Sequence, residues 1–271
     1  MNPIEKITNY QPSVLVIGDI MLDNYIYGSV KRISPEAPVP IVLCEEEMNA
    51  LGGCGNVIRN LSNIGANVSL ISYVGSDYCG ELIKDKLIEM DVEIGGLLSL
   101  NTVKTTRKMR IIAEKQQVVR VDWDSNKLSN NECKQIDELV EKTLTNYDGV
   151  IISDYDKGVC SNSLSKLIID KANNSNIPIF VDPKGKNWSK YSGATYITPN
   201  IKEIEEIGNF RLKNNKDFEV AGKKILEKYN IENCLITRGK DGMAMISNSD
   251  MYYLSSKVKE VFDVSGAGDT V

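Results

Sequence analysis

Gly149-Val150-Ile151-Ile152-Ser153-Asp154-Tyr155-Asp156-Lys157-Gly158 runs a short apolar stretch straight into a polar cluster that ends in glycine. Such a stretch reads as a buried strand that delivers a loop. Helical periodicity lies on both sides of it, over 130–143 before and 161–173 after, and the second helix leads to a strand at Ile177–Val181. Further out, strand Val68–Val74 precedes helix 78–90, and strand Thr195–Ile197 gives way to helix 200–207. Helix 216–229 then leads to strand Cys234–Thr237 and hairpin-like strands over 243–254. Regular alternation of this kind predicts an α/β fold, a doubly wound and mostly parallel sheet with helices on both faces.

Parallel strands share one C-terminal edge, so the clusters that end them should converge on one crevice. Besides 151–158 these are Val181-Asp182-Pro183-Lys184-Gly185, Thr198-Pro199-Asn200-Ile201-Lys202-Glu203 and Thr237-Arg238-Gly239. Near the N-terminus, Val14-Leu15-Val16-Ile17 ends at Gly18-Asp19, with Asp23 four residues on. Either aspartate alone could be a turn or cap residue; the pair, after a buried strand, is equally a candidate ligand set. Any one cluster alone would be a capped loop.

Two stretches break the pattern. Residues 25–44 and 97–122 are rich in aromatic and β-branched residues and lack helical periodicity. They predict exposed strands of a small second sheet, inserted as a lid. Lys104–Ala113 and Gln117–Val121 form two of them, joined by the turn Glu114-Lys115-Gln116. Arg107, Lys108, Arg110 and Arg120 give this sheet a basic strip, either a solvated face or a pocket for an anionic substrate. Between the two segments, Gly52-Gly53-Cys54-Gly55-Asn56 opens a helix. Its glycines permit close backbone approach to a ligand, and Asn56 can both donate to and accept from a hydroxyl.

Composition narrows the chemistry. The 271 residues carry a net charge of −5 and no histidine. The first leaves no basic excess for a nucleic-acid backbone, and the second removes histidine triads and His-zinc sites. Six scattered cysteines without a C-x-x-C pair predict buried or partly buried free thiols. Their chemistry suits a reducing cytoplasm. The N-terminus lacks the apolar core of a signal peptide, and no apolar run approaches the ~18 residues that span a bilayer.

The last ten residues are Phe262-Asp263-Val264-Ser265-Gly266-Ala267-Gly268-Asp269-Thr270-Val271. Three small residues before an aspartate leave backbone N–H groups uncovered. At a helix start these could hold a phosphate, with Asp269 as general base for an attacking hydroxyl. A glycine-rich loop capped by Asp269 is the alternative.

Gly52-Gly53-Cys54-Gly55-Asn56 and Asp263 to Asp269 resemble the two signatures of ribokinase-like (PfkB-type) carbohydrate kinases. Asn200-Ile201-Lys202-Glu203 is similar to that family's N-x-x-E motif, and Thr237-Arg238-Gly239 to its T-x-G. The resemblance covers essentially the whole chain, in the family's order. Within the family, GDIMLDNYIYGSVKRISPEAPVPIV, QQVVRVD, SDYDKGV, VDPKG and TPNIKE are similar to heptose 7-phosphate kinases. Those often form the N-terminal half of a bifunctional protein serving ADP-heptose and lipopolysaccharide synthesis.

The resemblance implies ATP and Mg²⁺ as cofactors and a small sugar phosphate as partner, with phosphorylation at C1. Asp269 would be the base, and Gly266, Ala267 and Gly268 the anion-stabilising backbone. Asn200, Ile201, Lys202 and Glu203 would serve the nucleotide phosphates, Asn200 and Glu203 also the metal through water. Thr237 and Gly239 would line the nucleotide side. Asp19, Asp23, Gly52, Gly53 and Asn56 would hold sugar hydroxyls, and Arg110, Arg120 and Lys184 the substrate's own phosphate. Ser265 stands where threonine is usual. The chain stops two residues past Asp269, so impaired nucleotide binding and a role as a binding module are also expectations, as is a homodimer through the lid.

Overall fold

The structure is a computed structural model in which residues 10–256 are described. Strand β1 (Ser13–Gly18) is buried from Val14 onward, and its alternate residues serve two cores. Leu15 and Ile17 pack with Ile136, Val140 and Ile168. Those three residues come from helices α3 (Asn130–Thr143) and α4 (Asn162–Asn174). Val14 and Val16 pack instead with Ile58, Ile83 and Leu87, which belong to α1 (Cys54–Asn63) and α2 (Tyr78–Glu89). A strand covered on both faces is the mark of a doubly wound sheet.

That sheet has nine strands. On one side of β1 lie β4 (Asn67–Gly75) and β5 (Glu93–Leu100). On the other lie β8 (Gly149–Ser153), β9 (Ile179–Asp182), β10 (Tyr196–Ile197) and β11 (Asn233–Thr237). All of these pair in parallel. The antiparallel strands β12 (Met243–Ser247) and β13 (Met251–Leu254) complete the edge beyond β11.

Capping fixes where the helices start. Ser129 and Glu132 form a reciprocal capping box on α3, Asn200 and Glu203 one on α5 (Ile201–Gly208), and Asn214 and Asp217 one on α6 (Asn215–Tyr229). Each satisfies N–H groups that a helix start leaves without partners.

The small sheet is larger and differently bounded than the sequence suggests. It contains β2 (Ile20–Ile33), β3 (Pro40–Gly53), β6 (Arg107–Ala113) and β7 (Gln116–Trp123), in the order β3-β2-β6-β7. Two antiparallel hairpins, β2/β3 and β6/β7, are joined by a parallel β2–β6 pairing. Three expectations are corrected here. Asp23 lies inside β2, not in a loop after β1. Residues 97–100 finish β5 of the large sheet, whose glycine pair Gly95-Gly96 hides its strand character. The β6–β7 turn has two residues, Glu114 and Lys115, both left-handed at φ 51° and 64°, and Gln116 is already strand. Two consecutive left-handed residues match the twist of a tight hairpin.

The six cysteines are all free thiols; Cys54, Cys160 and Cys234 are buried, but Cys44 is exposed, contrary to expectation. No helix among the described residues is long and apolar enough to cross a membrane.

Candidate active site at the sheet's switch point

From β1 the chain proceeds to the β4 side, and from β8 to the β9 side, so the gap between β1 and β8 is the sheet's topological switch point. Ligands of open α/β sheets bind outside the C-terminal ends at such a point. Asp19 stands at this gap, 2% exposed. Its Oδ2 accepts from the backbone N–H of Tyr155 (2.8 Å) and Lys157 (3.0 Å), and its Oδ1 from Val159 N–H (3.0 Å). Burial raises its pKa; the N–H bonds oppose that and the nearby Asp154 adds to it. The sequence suggests that Asp19 holds sugar hydroxyls. Its oxygens organise the loop after β8 and so frame the crevice wall.

Asp154, at the end of β8, is buried as well. It pairs with the ammonium of Lys190 and accepts from Tyr191 Oη at 2.6 Å. Its Oδ1 also accepts from Asp156 N–H at 2.7 Å. Lys190 donates further to the carbonyl of Cys160 at 3.0 Å. Burial, then the Asp154 charge, pushes the Tyr191 hydroxyl's pKa up, so it stays protonated and donates. Tyr191 Oη in turn accepts from Lys184 N–H at 3.2 Å, tying the loop after β9 to the loop after β8.

The small sheet faces this crevice with one side. Asp23, Lys108 and Asp122 are register partners across β2, β6 and β7, so they share a face, and Tyr25, Arg110 and Arg120 form the next row of it. Arg110 Nη1 binds Asp23 Oδ1 at 2.6 Å and its guanidinium lies 5.2 Å from the Tyr25 ring centre. Arg120 grips Asp122 with two contacts of 3.0 Å, on an exposed surface. Gly52 is required beside them, since a Cβ there would fall 2.3 Å from Asp23 Oδ2. Gly53 has φ 61°, and a Cβ on it would meet the carbonyl of Asp19 at 2.2 Å. The two glycines therefore bring β3 and the start of α1 hard against both aspartates. Asn56, in the first turn of α1, accepts from Arg59 Nη2 at 3.0 Å.

Further along the same sheet edge, Asn200 and Thr237 form a bridge, and Thr237 N–H donates to the Pro199 carbonyl at 2.9 Å. Gly239 follows in a left-handed conformation (φ 58°) with open space where a side chain would be. The N-x-x-E residues have structural work of their own. Asn200 Oδ1 accepts from Glu203 N–H (3.0 Å), and Glu203 Oε2 from Asn200 N–H (2.9 Å). Ile201 and Lys202 are the first residues of α5. Lys184 Nζ occupies the other Glu203 oxygen at 3.0 Å.

The structure thus splits the sequence-derived site in two. Asp19, Asp23, Gly52, Gly53 and Arg110 gather beside the switch point, with Asn56 at the start of α1. Asn200, Glu203, Thr237, Gly239 and Lys184 gather near α5. Lys184 Nζ is held by Glu203 in the second group, while its backbone N–H reaches Tyr191 Oη and through it the loop after β8. Gly266, Ala267, Gly268 and Asp269 lie outside the described residues. No group of three or more metal-ligating side chains occurs among the described residues. Lys190 and Tyr191 carry no signal in the sequence, where nothing links them to Asp154 more than thirty positions away. Lys108 is visible there only as one member of a basic strip.

A family profile described as "pfkB family carbohydrate kinase" matches residues 11–271. Among curated relatives, the "Bifunctional protein HldE" of Aliarcobacter butzleri (strain RM4018) is 42% identical over 262 residues, covering 96% of this chain and 55% of the relative. That of Campylobacter concisus (strain 13826) is 45% identical over 258 residues, covering 95% and 54%. The chain thus spans about half the length of the curated relatives it matches. Among solved structures, Arabidopsis thaliana ribokinase complexed with ribose and ATP superposes with a TM-score of 0.75 at 16% identity, covering 96% of this chain and 83% of that one. Escherichia coli phosphofructokinase-2 in complex with fructose-6-phosphate gives 0.77 at 21%, covering 96% and 84%. At such identities these two establish the fold.

Proposed function

Because this chain belongs to the pfkB family of carbohydrate kinases, we propose that it phosphorylates D-glycero-β-D-manno-heptose 7-phosphate at C1 with ATP, on the way to ADP-heptose. The observation that carries this reading is the 42–45% identity to HldE proteins along almost the whole chain. The stretches SDYDKGV, VDPKG and TPNIKE, which resemble heptose 7-phosphate kinases, supply the loops that line the crevice.

In this reading the C1 hydroxyl gives its proton to the Asp269 carboxylate as its oxygen bonds to the γ-phosphorus. The bond from that phosphorus to the β–γ bridging oxygen breaks, and ADP leaves. Backbone N–H groups of Gly266, Ala267 and Gly268 would hold charge on the transferring group. Asp23 and Asn56 would contact sugar hydroxyls, while Asp19 keeps the loop at 155–159 in place. Thr237 and Gly239 would border the nucleotide, where Gly239 leaves the room a ligand needs. Mg²⁺, when bound, would neutralise phosphate charge during transfer. Both Glu203 oxygens are already engaged, so Asn200 and Glu203 suit contact with the metal through water and not direct ligation.

The test is an ADP-release assay on the full chain across a panel of sugars, sugar phosphates and nucleosides. Heptose 7-phosphate should exceed every other acceptor in kcat/KM by more than roughly 10²-fold, since a site built to hydrogen-bond a substrate group rejects analogues lacking it by roughly 10⁴–10⁵. A different acceptor at the top of the panel would leave the chain a sugar kinase and remove the heptose assignment.

The same reading includes a homodimer. Val119, Val121 and Trp123 alternate along β7 onto the face turned away from the crevice, and are 44%, 37% and 39% exposed. A row of this kind on an exposed sheet suits burial against a second copy. Sedimentation should give a dimer, and Val119→Glu with Val121→Glu a monomer. A wild-type monomer throughout the concentration range would dispose of the dimer.

A further inference from the structure

We propose that the ammonium of Lys108, on the crevice face of β6, receives the phosphate that the acceptor sugar already carries. This rests on the reading above that the acceptor is a sugar phosphate. The three cations singled out in the sequence for that task are each committed elsewhere. Arg110 holds Asp23 at 2.6 Å, Arg120 holds Asp122 at 3.0 Å and Lys184 holds Glu203 at 3.0 Å.

Lys108 sits in register between Asp23 and Asp122 yet forms no ion pair among the described residues. Its close partner is the face of Tyr155, with Nζ 5.8 Å from the ring centre. Tyr155 belongs to the loop that Asp19 fixes at the switch point, so the ammonium reaches from the small sheet to the crevice floor. Lys108 is only partly exposed. Burial lowers its pKa; Asp23 and Asp122 counter that, and Lys157 and Arg110 reinforce it. A cation withdrawn from water, short of acceptors and crowded by other cations, is a site that an incoming anion relieves. Lysine suits a phosphate monoester as a compact point charge with three donors. Lys157, bound to Asp124 at 2.7 Å, adds positive potential beside it.

The test compares wild type, Lys108→Gln and Lys108→Arg in the full chain by titration with three ligands. These are heptose 7-phosphate, the same heptose without its phosphate, and ATP. Lys108→Gln should weaken the 7-phosphate roughly 10- to 100-fold, the scale of a charged hydrogen bond. The phosphate-free sugar and ATP should bind as before, and Lys108→Arg should recover most of the loss. Unchanged 7-phosphate binding in Lys108→Gln, equal losses for both sugars, or a loss confined to ATP would each overturn the assignment. A wild type that binds both sugars alike would remove the phosphorylated acceptor itself, and the lysine's role with it. Wild type that favours the phosphate, with a variant that keeps the preference, would remove only the lysine. Should Lys108→Gln not fold, amine modification of the wild type read by mass spectrometry decides. The 7-phosphate should protect Lys108 where the phosphate-free sugar does not, and equal labelling under both would refute the proposal.

Discussion

Asp269→Asn should lower kcat by roughly 10²–10⁴-fold, the loss expected when general-base catalysis is removed. Asparagine keeps the size and hydrogen-bonding shape of the side chain but cannot accept the hydroxyl proton. In the proposed reading the sugar is held by groups around β1, β2 and β6, so its affinity should stay nearly constant. Steady-state kinetics with a separate sugar titration checks both halves. A variant that keeps more than about a third of the wild-type kcat would mean that the proton goes elsewhere, because so small a loss is far below the expected scale.

Lys190→Met should destabilise the fold by about 3 kcal/mol, the lower end of the loss caused by removing one member of a buried pair. The Asp154 side chain is 1% exposed and that of Lys190 11%, so water cannot replace the missing ammonium. The remaining partners of Asp154, Tyr191 and the Asp156 N–H, moderate the loss. Adding Asp154→Asn to Lys190→Met should recover part of the stability, since the stranded charge is then gone. Urea unfolding of the two single variants and the double variant measures this coupling. A loss under about 1 kcal/mol for Lys190→Met, the scale of an exposed pair, would show that water already reaches the pair. The pair also ties the loop after β9 to the loop after β8 beside the switch point.

The large sheet is legible in the sequence because its strands are short apolar runs between strongly periodic helices, and both cues are local. β5 escapes because two glycines replace the side chains that would reveal a strand. The small sheet is recognisable by its style, but its limits are not. β2 leaves β1 after a single residue, and that junction has no turn residue other than Gly18-Asp19. Site residues are legible as types and not as pairings. Lys184 reads as a free phosphate-binding cation until Glu203, nineteen positions on, is found against it. The Asn200–Glu203 box illustrates a different ambiguity, since one spacing serves both to start a helix and to place polar groups at a strand's end. The partners of Asp19 could not be foreseen at all, because they are backbone N–H groups more than a hundred residues away.

The parallel seam between β2 and β6 also constrains the order in which the molecule can be assembled. The β2/β3 and β6/β7 hairpins are each local and can form early, but neither completes the small sheet. Between them in sequence lie α1, β4, α2 and β5, so the seam closes only after that block has docked beside β1. Contacts that join such distant segments pay their loop entropy before any reward, which slows folding. Leu22 N–H bonded to the Thr106 carbonyl at 3.0 Å, and Asp77 Oδ2 to Thr105 N–H at 2.9 Å, mark where the closure is stitched. A nascent chain therefore carries two unpaired strand edges, β2 and later β6, until the seam forms. The crevice face cannot exist in any intermediate that lacks it.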